Sequence, residues 1–147
     1  MYILVVDDDQ FANTLVHFVL SKEGYEVEMI DSARGAMQMI QKREPDLLLL
    51  DVNMPHMDGF EFSSKLRSEG YETPIIFITA KDALEDILQG FRIGADDYIT
   101  KPYNHQELVA RVEAVLRRVK KHSKPGNANI RNGQVELVPA ELKVVMP

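Results

Sequence analysis

At 147 residues, 45% of them hydrophobic and 27% charged, the chain has the makeup of a soluble globular protein with room for one full domain and part of another. A net charge of -6 argues against non-specific nucleic-acid binding by the chain as a whole, and the absence of cysteine excludes a disulfide framework, a thiolate nucleophile and sulfur-ligated zinc. No apolar run approaches the roughly 20 residues that span a bilayer, and no signal-peptide pattern opens the chain, so a cytosolic protein is the expectation.

In chain order, Ile3-Leu4-Val5-Val6 reads as a buried strand that ends in the paired acids Asp7 and Asp8. Phe11, Leu15, Phe18 and Val19 fall at helical spacing, with Asp9 as N-cap and Gly24 as stop. Residues 25–30 alternate like a strand. Ser32 caps a second helix in which Ala33, Ala36, Met37 and Ile40 share a face, and Pro45 ends that segment. Leu47-Leu48-Leu49-Leu50 is a second continuous apolar run, ending in Asp51. Asp58 and Glu61 have capping-box spacing for a third helix with Phe62 and Leu66 inward. Residues 74–78 form another buried strand. Asp82 and Glu85 repeat the capping spacing before Leu84, Ile87, Leu88 and Phe91. Residues 97–100 make a short fifth strand, and Asn104 and Glu107 cap a last helix lined by Leu108, Val112, Val115, Leu116 and Val119.

Alternation of near-continuous apolar strands with amphipathic helices predicts an α/β fold, a doubly wound five-stranded parallel sheet with helices on both faces, the flavodoxin-like (βα)5 arrangement. Ligands of such sheets sit outside the carboxyl ends of the strands. Asp7, Asp8, Asp51, Thr79 and Lys101 all fall at those ends. Carboxylate oxygens with open positions suit Mg²⁺. An Asp can act as a nucleophile toward phosphorus, a Lys ammonium neutralises a phosphoryl oxygen, and a Thr hydroxyl donates to one. Taken singly, each residue has a plainer reading as a helix cap, a solvated lysine or a strand-end hydroxyl. Their joint occurrence at successive strand ends favours the chemical one.

The motifs Val5-Val6-Asp7-Asp8-Asp9, Asp51-Val52-Asn53-Met54-Pro55 with Asp58-Gly59, Ile78-Thr79-Ala80, and residues 94–102 (Gly-Ala-Asp-Asp-Tyr-Ile-Thr-Lys-Pro) occur in order over residues 1–121. Together they resemble the receiver domain of bacterial two-component response regulators, in particular the OmpR/PhoB subfamily. The resemblance implies that Asp51 is the phosphoacceptor, fed by a sensor histidine kinase. It implies that Asp8, Asp51 and the backbone carbonyl of Asn53 ligate Mg²⁺, with Asp7 assisting. Lys101, the Thr79 hydroxyl and the Ala80 N–H would bind the phosphoryl group, and Tyr98 would turn inward as Thr79 moves. The output would be a homodimer through the fourth helix, fifth strand and fifth helix, and the chain would be a signalling switch rather than an enzyme with a separate substrate.

On that dimer face the resemblance places Asp96, Asp97, Glu107, Arg111 and Arg118. Two positions depart from the pattern: Ile87 stands where a basic residue is usual, and Arg92 where an acid is common. A more apolar interface through Ile87, Phe91 and Val109, or weaker pairing, would follow. Residues 1–121 are expected to form the receiver and 122–129 a linker. Residues 130–147 resemble the opening strands of a winged-helix DNA-binding domain, so DNA would be bound only through a domain that lies beyond this chain. Two other readings remain open at this level: a Mg²⁺-dependent phosphohydrolase with an Asp nucleophile, though Asn53 stands where a second acid is usual, and a receiver-like module that works unphosphorylated.

Overall fold

The computed structural model describes residues 1–54, 56–81 and 83–123, and by its contacts the chain divides into two units, Met1–Val115 and Leu116–Pro147. The expected linker and winged-helix strands lie outside the described residues, apart from the end of the last helix. Among the described residues five strands alternate with five helices: β1 (Tyr2–Val6), α1 (Gln10–Lys22), β2 (Glu26–Ile30), α2 (Ala33–Lys42), β3 (Leu47–Leu50), α3 (Gly59–Ser68), β4 (Ile75–Thr79), α4 (Leu84–Ile93), β5 (Asp97–Thr100) and α5 (His105–Ser123). The strands form one parallel sheet in the order β2-β1-β3-β4-β5. Strand order reverses between β1 and β3, which opens a crevice at their carboxyl ends.

The continuous apolar runs occupy the centre, as their composition demands: every residue of β1, β3 and β4 is buried. Leu4, Val6, Leu48, Leu50, Ile75 and Phe77 join one core with Ala36 and Ile40 of α2 and Phe62 and Leu66 of α3. Strand alternation turns Ile3, Val5, Leu49, Ile76 and Ile78 to the opposite face, and all five are buried there. Val16 and Leu20 of α1 and Leu108 and Val112 of α5 supply buried side chains outside that first core. At the edge, β2 buries only Val27 and turns Glu26 and Glu28 outward, which discourages pairing with another chain.

Most predicted caps form. Asp9 accepts hydrogen bonds from the Phe11 and Ala12 amides, Ser32 from Gly35, and Asn104 from Glu107 at 2.7 Å. Asp58 and Glu61 make a full capping box at 2.8 and 3.1 Å. The cap expected from Asp82 lies outside the described residues; the residue at the cap position of the fourth helix is Ala83, which offers no side-chain acceptor.

The first helix is rolled differently from expectation. Of its four apolar-stripe residues only Val19 is buried; Phe11 and Phe18 are 77% and 60% exposed. The Asn13 amide explains the roll: it turns inward and donates to the Asp7 carbonyl at 2.7 Å. Val16 and Leu20, three and seven residues on, then face the sheet, and the phenylalanines face solvent.

Candidate functional site

Register builds the site. Val6 pairs with Leu50, Leu50 with Phe77, and Thr79 with Thr100. The residues that follow these pairs therefore emerge side by side. The ladder continues one step past the strands: the Asp51 amide donates to Val6 O at 3.0 Å and the Lys101 amide to Thr79 O at 2.8 Å. Asp7 and Asp51 are thereby fixed as neighbours, and Lys101 reaches across from the far side of β4.

One carboxylate oxygen from each of Asp7, Asp8 and Asp51 lies within 4.8 Å of the other two; Asp7 and Asp51 are buried and Asp8 is exposed. The Lys101 Nζ sits 3.1 Å from Asp7 Oδ2 and 3.6 Å from Asp51 Oδ2, so the nearer ion pair is to Asp7 rather than to Asp51. The remaining Asp51 oxygen, Oδ1, accepts from the Asn53 amide at 3.0 Å, and Asp7 Oδ1 accepts from the Asp9 amide at 3.0 Å. Both buried carboxylates are thus oriented by backbone donors and held together by one ammonium.

The electrostatics are those of a site short of positive charge. Burial raises the Asp51 pKa above the usual carboxylate value, and Asp7 adds to the rise; the Asn53 amide, Lys101 and the Thr79 hydroxyl oppose it without cancelling it. Burial works against the Lys101 ammonium, but the charges of Asp51 and Asp7 outweigh it and raise Lys101 above its ordinary value. Three hard oxygen donors of one sign, converging with one side open to solvent through Asp8, fit a small divalent cation such as Mg²⁺. Asp7, Asp8 and Asp51 are the side chains that would hold it.

The other sequence-predicted residues rim this cluster. Thr79 is fully buried at the end of β4, and Ala80 follows it at the exposed mouth. Tyr98 is 7% exposed, its ring lying inward against Phe77 at a 5.9 Å centroid separation. The proposed dimer-face residues lie apart from the acids on α4, β5 and α5. Within the chain, Arg111 binds both Asp97 oxygens at 3.0 Å and Glu107 at 3.2 Å, so Glu107 has a partner on its own helix. Asp96 is turned into its own fold, accepting from the Ile75 amide at 3.0 Å. Ile87 packs against the core, Val109 is half-buried, and Phe91 and Arg118 are exposed.

Sequence reasoning assigned no role to three residues that shape the site. Asn13 holds the Asp7 carbonyl, and its spacing with Val16 and Leu20 was the available signal. Tyr103 joins Asn13 and Lys101 in lining the small pocket under Asp7 and Asp51. Gly59, the first residue of α3, lies so close to the segment leaving β3 that a Cβ would stand 2.5 Å from Asp51 O and 2.8 Å from Val52 Cα. Any side chain there would force Asp51 from its place. His56 is exposed and adopts φ +73°. It borders a separate hollow of about 670 Å³ beside α2 and α3, lined by Met37, Met57 and Phe62 among others.

Comparison with known proteins agrees with this geometry. Residues 3–113 match the response regulator receiver domain family. The chain is 44% identical over 126 residues to the transcriptional regulatory protein RprY of Bacteroides fragilis (strain YCH46), covering 85% of this chain and 53% of that protein. It is 41% identical over 118 residues to the transcriptional regulatory protein PcoR of Escherichia coli, covering 80% of this chain and 52% of that one. It therefore spans about half the length of these curated relatives. The beryllofluoride-activated N-terminal receiver domain of Klebsiella pneumoniae RstA superposes with a TM-score of 0.76 at 32% identity, over 80% of this chain and 99% of that one. With its parallel five-stranded sheet and its acids gathered at the β1–β3 crevice, the chain belongs to the response regulator receiver domain family.

Proposed function

We propose that this receiver is the phosphorylation-controlled switch of a two-component transcriptional regulator, with Asp51 as phosphoacceptor. The observation that carries the reading is the convergence of Asp7, Asp8 and Asp51 within 4.8 Å, with Lys101 3.6 Å from Asp51. A phosphohistidine on a sensor histidine kinase is the donor. An Asp51 carboxylate oxygen attacks phosphorus, the P–N bond breaks, and the histidine nitrogen keeps the electron pair and takes up a proton. Asp8, Asp51 and the Asn53 carbonyl would hold Mg²⁺, with Asp7 assisting. The bound ion supplies charge neutralisation for the phosphoryl oxygens.

Lys101 shifts its contact from the carboxylates to a phosphoryl oxygen, and the Thr79 hydroxyl and Ala80 N–H donate to others. Catalysis is confined to the receiver's own phosphorylation and dephosphorylation. Tyr98 reports the change to the face made by α4, β5 and α5. Exposed Leu84, Leu88 and Phe91 of α4, at 69%, 41% and 46%, support an apolar homodimer contact there, despite the departures at Ile87 and Arg92. DNA is bound through a C-terminal domain, and the protein works in the cytosol. Among the described residues no helix is long and apolar enough to cross a membrane.

Acetyl phosphate with Mg²⁺ is expected to raise the intact mass by one phosphoryl group. Beryllofluoride with Mg²⁺ is expected to convert monomer to dimer in light scattering. No mass gain sinks the phosphoacceptor reading, and an unchanged monomer at saturation removes the dimer. The kinase must reach Asp51, and the helix that follows Asp8, α1, exposes the rings of Phe11 and Phe18 at 77% and 60%. Changing either to Asp is expected to slow transfer from the kinase about 10-fold while leaving loading by acetyl phosphate unaltered, as measured by radiolabel transfer.

A further inference from the structure

Gly90 is the buried residue of α4, a helix whose other apolar side chains are half-buried or exposed. Glycine weakens a helix interior relative to alanine, so its presence in mid-helix calls for a reason. Its backbone conformation is not that reason, because its φ lies outside the left-handed region. Space is. A Cβ at this position would stand 3.0 Å from Tyr98 Cδ2, 3.2 Å from Tyr98 Cε2 and 3.2 Å from Phe77 Cδ2. Phe77 cannot yield easily, since it is fully buried and held edge-on to Phe60 at a 5.1 Å centroid separation. Of the two rings, Tyr98, on the short strand β5, is the one that reaches solvent, at 7% exposure against none for Phe77.

Tyr98 is also the ring with a polar tether. Its phenol donates to the Lys81 carbonyl at 2.7 Å, two residues beyond Thr79 in the loop leaving β4. The inward ring is therefore seated on two supports. One is the bare backbone of α4 at Gly90; the other is the segment that carries Thr79 and Ala80. A displacement of a few tenths of an ångström by a methyl group at position 90 would lengthen or misalign that bond and favour an outward ring.

We propose that Gly90 is a positioning residue that forms the seat for inward Tyr98 and thereby sets how strongly occupation of the Asp51 site is transmitted to the α4–β5–α5 face. This deepens the switch reading above and rests on it. The residue acts through Tyr98 and touches none of the reacting groups.

Gly90→Ala is the test, in a background where all tyrosine rings carry ¹³C and Tyr98 is assigned by its loss in Tyr98→Leu. Alanine is the better helix former, which offsets part of the crowding, so the variant is expected to fold. Without ligand, the Tyr98 ring resonances are expected to move toward solvent-exposed values and their relaxation toward faster ring motion. Half-maximal dimerisation with Mg²⁺ is expected to need about fivefold more beryllofluoride or higher. The same substitution made in Tyr98→Leu is expected to change that concentration little, because the obstructed ring is gone.

Unchanged Tyr98 resonances in Gly90→Ala overturn the proposal. So does an equal effect of Gly90→Ala with and without the Tyr98 ring, which would place its action elsewhere in α4. A wild-type protein that never binds beryllofluoride overturns the switch reading instead. In that case the ring resonances alone still decide whether Gly90 seats Tyr98.

Discussion

Asp51→Asn is expected to abolish phosphorylation and, without divalent cations, to make the protein more stable than wild type. The second half follows from the site's charge. Burial and the neighbouring Asp7 raise Asp51 in the folded state, so the native protein holds that proton more readily than the unfolded chain does. For such a group stability falls as pH climbs from the unfolded carboxylate value through the raised folded value. At neutral pH the Asp51 charge therefore works against folding. Asparagine removes it and keeps an oxygen for the Asn53 amide, which Asp51 now receives at 3.0 Å. A gain of about 1 kcal/mol, or roughly 4 °C in Tm, is expected in EDTA at pH 7. Mg²⁺ at about 100 times its Kd should add roughly 2.7 kcal/mol to wild type and far less to the variant. Calorimetry with and without Mg²⁺ reads both, and a lower Tm for the variant in EDTA would refute the electrostatic account.

Lys101→Met carries the largest expected loss of stability. The ammonium serves two buried carboxylates at 3.1 and 3.6 Å, and removing it leaves both without their shared cation. Breaking a fully buried pair costs about 3–5 kcal/mol; with Lys101 28% exposed at its side chain, about 2 kcal/mol is the scaled expectation. The pH dependence separates this from a packing defect. Lys101 is raised in the fold, so its own contribution is complete below the unfolded lysine value and is lost only in alkali, as pH passes the raised value. The deficit in the variant is therefore full at neutral pH. It should shrink as pH falls through the carboxylate range, where protonating one acid relieves the repulsion. Mg²⁺ should restore much of the stability, whereas aspartyl phosphorylation should remain slower by about 100-fold. Urea melts from pH 4 to 8, with and without Mg²⁺, would show this pattern. A deficit independent of both would point to lost packing of the lysine stem.

The parts of this molecule that were legible in its sequence share a physical character. Runs such as Leu47–Leu50 admit no exposed face, so they had to be central strands, and acids placed directly after such strands had to meet at the sheet's carboxyl edge. Asp58 with Glu61 and Ser32 acted locally, within one helical turn, and were equally readable. What failed depended on distant partners. Spacing alone could not say which side of α1 would be buried, because a polar residue, Asn13, anchors the inward face through Asp7. The glycines at 59 and 90 carried no local sign of the backbone and the rings that press on them.

The Arg67 guanidinium donates to the carbonyls of Tyr71 and Thr73 at 3.1 and 2.8 Å and to that of Gly94, the residue capping α4, at 2.9 Å. One cation thus rivets the far end of α4 to the entrance of β4. The opposite end begins at Ala83, which among the described residues has no side-chain cap, and Leu84 there is exposed. A rod held at one end swings as a lever: a push from the loop after β4 would move its far tip most and its fulcrum least. Surfaces built on Leu84 and Leu88 would feel that leverage most, and those beside Gly94 scarcely at all.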